Sequence, residues 1–248
     1  MKFAEKPRFM TLHCQYIPRK VSDMRGVLIL FFCLAFSGMV QAQDEQLGRD
    51  TSADWLEYYY LKPKPDEFVK YMKSYSQDGT LSNENARPAL IGFISQVIRQ
   101  NRDKLEKWFY DLSGLPPEHM QVLTTAMLYS RTKEADQLLQ DVFGDQFEKQ
   151  KEELPKILEL QLDKPHTIDM IWGFFYATGS ENAVRRLVWC FNFVDAPKDP
   201  TFAKVPEGFS PLYRELPEAA AYTILSNAER HKRVREICKK LYEDEEAL

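Results

Sequence analysis

The residues that usually carry protein chemistry are scarce in this chain. Of 248 residues four are Cys, four are His and ten are Gly, and the formal net charge is only −4. Low Gly excludes a collagen-like chain. Three histidines, His119, His166 and His231, lie beyond residue 42, and their separations rule out H-E-x-x-H or similar zinc spacing. There is no G-x-S-x-G elbow, no Gly-rich phosphate loop and no dinucleotide fingerprint. No catalytic, metal-ligating or cofactor-binding residue is therefore assigned, and no cofactor is expected. Sustained apolar–polar alternation is also missing, so a β-sheet has no support.

What remains suits a folded core: 44% of residues are hydrophobic and 28% charged. The length fits one domain, or a domain with an appendage. The amino terminus stands apart. Arg25 precedes the apolar run Val27–Val40, followed by Gln41 and Ala42. A basic residue, a short apolar stretch and a Val-x-Ala site make the pattern of a secretory signal. The run is shorter than the roughly 20 residues of a membrane span. The expected organisation is a signal peptide over 24–42 and one helical domain over 43–248. Residues 1–23 make an unusually long lead, and Met24 would make an ordinary start.

Removing residues 1–42 takes away six Lys/Arg and two acids, leaving 27 basic and 35 acidic residues, a net charge of −8. Neutralising phosphates takes clustered cations, so nucleic acid is not an expected partner. No stable membrane span is expected after cleavage, and the destination is the periplasm or the exterior. Cys190 and Cys238 remain. In an oxidising compartment they form one bridge, or they stay as two buried thiols.

Beyond Gln43 the apolar spacing is helical. Leu105, Trp108, Phe109 and Leu112 follow i, i+3, i+4, i+7. So do Ala135, Leu138, Leu139 and Val142; Val184, Leu187, Val188 and Phe191; and Val234, Ile237, Cys238 and Leu241. Each stripe must be buried against a neighbour. Pro65 and Pro117 suit the first turns of helices. Gly179 reads as the residue closing one helix and Ser180 as the cap of the next. The predicted helices cover 53–61, 65–77, 87–100, 102–112, 117–130, 132–143, 146–162, 166–178, 181–193, 215–228 and 230–243. Short turns near Asn101, Arg131, Gly179 and Glu229 make neighbours antiparallel. The expected fold is all-α, stacked antiparallel helical hairpins in an α-solenoid-like array or an irregular bundle.

One stretch breaks the helical pattern. Between 195 and 211 stand Pro197, Pro200, Pro206 and Pro211, with Phe202 and Phe209 among them. Proline removes a donor and fixes φ, so a helix cannot run through. Long loops of this kind are often functional or disordered. The embedded apolar residues favour an ordered loop packed on the bundle as structural cover; as a binding surface, it makes Phe202 and Phe209 candidate binding residues.

Two further constellations combine aromatic and polar residues. The first is Asp169, Trp172, Phe175, Ala177, Thr178 and Gly179. The second is Leu225, Ser226, Asn227, Ala228, His231 and Val234. Asp169, Trp172, Thr178, Ser226, Asn227 and His231 either converge on one polar pocket or act as turn and cap residues. Trp55, Tyr58 and Tyr59 are expected to share a core face, with Tyr60 pointing elsewhere. These stretches, with the opening Asp54-Trp55-Leu56 and Tyr58-Tyr59, resemble the shared motifs of a family of uncharacterised exported bacterial all-helical proteins. The resemblance implies an exported helical protein and carries over no activity.

The expected function is non-catalytic. An exported helical protein would present its surface to a protein or peptide partner in the cell envelope. The alternative is an envelope hydrolase or small-molecule binder with a pocket near Trp172 and His231.

Overall fold

The computed structural model describes residues 52–144, 147, 154–196 and 205–244, all within one compact unit. Among them there is no strand, and the fold is all-α. The helices are α1 (Ser52–Glu57), α2 (Phe68–Gln77), α3 (Arg87–Gln100), α4 (Leu105–Leu112), α5 (Pro117–Ser130) and α6 (Lys133–Phe143), followed by α7 (Pro165–Thr178), α8 (Glu181–Val188), α9 (Leu216–Arg230) and α10 (Lys232–Glu243). The signal peptide predicted over 24–42 lies outside the described residues, as does Phe202. No described helix is long and apolar enough to cross a membrane.

Helices α3 and α7 form the centre. Each buries residues around most of its circumference, from Leu90 to Ile98 on α3 and from Thr167 to Ala177 on α7. Helices apolar on all sides belong inside a protein. They cross at Gly92 and Gly173: a Cβ at Gly92 would overlap the Met170 carbonyl, and one at Gly173 would overlap the Ala89 carbonyl. Only glycine lets the two backbones touch there. The pairing joins helices far apart in the chain and not two successive hairpins. Around α3 lie α5 and, through the shared core, Trp55, Phe68, Trp108 and Leu139. Around α7 lie α8 and α9, with α10 packed on both of these.

Most predicted stripes face inward. Leu105, Trp108, Phe109 and Leu112 are buried, as are Val234, Ile237, Cys238 and Leu241. Val142 does not follow its stripe and is 49% exposed. Gly179 closes α7 with φ +62°. Ser180 holds the capping position of α8 but its side chain makes no cap bond. The elbow expected near Glu229 falls at His231, because α9 continues to Arg230.

Two predicted helices are too long. The first, 53–61, stops at Glu57, and Tyr58–Tyr60 form a turn. Over 154–162 the predicted helix is replaced by extended backbone and a single 3₁₀ turn at Ile157–Glu159. Pro155 accounts for this, since proline lacks a donor and pushes the residue before it out of the helical region. Cys190 and Cys238 are both free and buried. Burial pushes each thiol up to about 12, far from the thiolate that reacts.

Candidate functional site

His231 is the one non-helical residue between α9 and α10, with φ −116° and ψ 107°. Its amide donates to the Asn227 carbonyl at 2.8 Å, and its carbonyl accepts from Val234 at 3.0 Å, so it ends one helix and starts the next. Arg235 reaches back to the Ala228 carbonyl at 2.7 Å and covers the open end of α9. This geometry turns the His231 side chain inward, where it is fully buried.

Four rings pack around that imidazole. Tyr58, Tyr176, Tyr60 and Phe175 have centroids 4.9, 5.7, 5.8 and 5.9 Å from it. Tyr60 Oη lies 3.2 Å from Nδ1. Glu57 Oε1 lies 3.2 Å from Nε2, at ion-pair distance but without hydrogen-bond alignment, and 2.5 Å from Arg230. With the proton on Nε2, Tyr60 donates to Nδ1, and the Nε2–H faces the Glu57 carboxylate without completing a hydrogen bond. Burial raises the Tyr60 phenol to about 12 and also raises Tyr176, so both remain neutral donors.

The same rings lead to α7. Tyr176 donates to Asn227 Oδ1 at 2.7 Å, and Asn227 donates to the Thr223 carbonyl at 2.8 Å. Trp172 stacks on Tyr176 with centroids 6.1 Å apart. The Tyr60 amide donates to the Tyr176 carbonyl at 2.9 Å, closing the end of α7. Gly179 is required twice here, by its positive φ and because a Cβ would stand 2.7 Å from the Tyr60 ring.

The structure therefore brings Trp172, Asn227 and His231 together, with Tyr176 as the shared neighbour. Asp169 sits one turn before Trp172, half-buried, and burial lifts its carboxyl to about 6 against the opposing pull of His166. Thr178 serves its own helix, donating to the Phe174 carbonyl at 2.7 Å and accepting from the Ser180 amide at 3.2 Å. Ser226 contributes a carbonyl that accepts from Arg230 at 3.3 Å. Trp172 Nε1 is buried without an acceptor, and nothing in the structure explains it.

Sequence reasoning missed Glu57, Tyr60, Tyr176 and Arg230. The expectation that Tyr60 points away from Trp55 is met, and Tyr58 joins Tyr60 on His231 instead of sharing the Trp55 face. With His231 and Trp172 both buried, the cluster works as a three-way joint. It ties the turn after α1 to the end of α7 and to the α9–α10 elbow.

Phe209 belongs to a different place. Its ring lies 5.9 Å from Phe193 and 6.0 Å from Tyr213, and Phe193 lies 5.3 Å from Trp189. Trp189 and Leu212 are each 42% exposed. Arg186 stands over Trp189 at 4.9 Å and Arg214 over Tyr213 at 5.4 Å. This aromatic face joins the end of α8 to the Pro-rich loop. No known protein family, curated protein or solved structure matches the chain.

Proposed function

We propose that the protein is an exported helical module of the cell envelope that binds a protein or peptide partner through the Trp189–Phe193–Phe209 face. The observation that carries this reading is the half-exposed Trp189 with Arg186 over its ring and Leu212 exposed nearby. Trp, Tyr and Arg dominate the energetics of protein interfaces, and exposed apolar groups rimmed by polar ones mark interaction sites. Arg186, which also donates to the Leu160 carbonyl at 2.9 Å, favours a partner segment with an acidic residue beside its apolar anchor. Export rests on the apolar run Val27–Val40 and its flanks. The alternative pocket near Trp172 and His231 is disfavoured by the burial of both side chains.

The test is capture of the mature protein's partner from envelope extract, beside a Trp189→Ala, Phe209→Ala double variant. A specific partner lost in the variant, with helical circular dichroism unchanged, supports the reading. A partner retained by the variant overturns it.

A further inference from the structure

His119 stands between two serine hydroxyls. It lies in the first turn of α5, which Pro117 opens, and is only 5% exposed. Its Nδ1 is 2.8 Å from Ser76 Oγ, near the end of α2, and its Nε2 is 2.7 Å from Ser82 Oγ. Ser82 itself is exposed. It closes a 3₁₀ turn, Thr80–Ser82, that follows Gly79 at φ +83° and is fixed by the Thr80 amide donating to Asp78 Oδ1 at 2.9 Å. An accessible hydroxyl, a base within hydrogen-bond reach and a group orienting that base are the three parts of an activated nucleophile.

We propose that Ser82, His119 and Ser76 form an acyl-transfer centre for acyl esters. This goes beyond the docking face and is independent of it. In the active tautomer His119 Nδ1–H donates to Ser76, which leaves Nε2 to accept from Ser82. Ser82 Oγ attacks the acyl carbonyl while its proton passes to His119 Nε2. The tetrahedral oxyanion collapses, the bond to the alcohol oxygen breaks, and the alcohol leaves with the proton from His119. Water then attacks the acyl-Ser82 ester by the same proton route, releasing the carboxylic acid and restoring the serine.

Arg87 Nε donates to the Leu81 carbonyl at 3.2 Å, which ties the start of α3 to the residue preceding Ser82.

The full chain is incubated with p-nitrophenyl acetate and then analysed by intact mass and peptide mapping. One acetyl group on Ser82 is expected, with p-nitrophenolate release falling at least ~100-fold in Ser82→Ala. Ser76→Ala lowers kcat and leaves KM unchanged, as a positioning residue should. Because Ser82 is exposed, the Ser82→Ala fold is retained, and an unchanged melting temperature verifies this. Absence of a Ser82 adduct, or ester turnover that survives Ser82→Ala, overturns the proposal.

Discussion

Among the described residues His119 and His231 are the two buried histidines, each at the start of a helix and each within reach of hydroxyl groups. Their surroundings differ. Around His231 the partners are Tyr60, Tyr58, Tyr176 and Phe175, whose rings exclude water, and the neighbouring Glu57 and Arg230 pair with each other. His119 touches two serines, one of them open to solvent. A buried imidazole enclosed by rings holds chain segments in place, whereas one that reaches an exposed hydroxyl can move a proton to and from it. The contrast is drawn by neighbours, since the two side chains are chemically the same.

The largest test of this contrast acts on the scaffold both sites share. Gly173→Val drives a side chain into the Ala89 carbonyl and forces α3 from α7. The expected result is loss of the cooperative thermal transition, because α3 supports the His119 side and α7 the His231 side. Next, His231→Ala should destabilise by about 3 kcal/mol in urea unfolding, combining a cavity with unpaired buried partners. A change below about 1 kcal/mol would deny that His231 is a joint.

Asp169 supplies the pH signature of the same region. Its folded carboxyl is raised to about 6 from 3.8, so the folded protein binds the proton more tightly than the unfolded chain. Stability therefore falls as pH rises from about 4 to about 6 and stays lower above that. Asp169→Asn should stabilise at pH 7 by on the order of 2 kcal/mol and change little below pH 4. Equal effects at the two pH values would contradict the assignment. Tyr176→Phe removes the donor to Asn227 and should cost about 1–2 kcal/mol. The smallest effect belongs to the other histidine: Ser82→Ala should change stability by less than about 0.5 kcal/mol.

Much of this architecture was legible because helical burial repeats along the chain. The stripes on α4 and α10 needed only the 3.6-residue period, and Pro117 and Gly179 marked boundaries by steric and donor effects local to themselves. The 146–162 reading failed where Pro155 outweighed an apolar pattern, over 154–162. Within the candidate site, Trp172, Asn227 and His231 stood out as an unusual mix of aromatic and polar residues beside small ones. Thr178 and Ser226 shared those motifs yet bond within their own helices. Tyr60 could not be paired with His231, since 171 positions separate them and only tertiary packing brings them together. Ser76, Ser82 and His119 carry no motif for the same reason: turns bring them together.

The central claim is that the aromatic face binds and the His231 joint does not, and hydrogen exchange on the full chain with and without its captured partner tests this most directly. Protection confined to 186–193 and 205–215, with 227–235 unchanged, is the predicted result. Protection centred on 227–235 and Tyr60, leaving Trp189 and Phe209 unaffected, would contradict it.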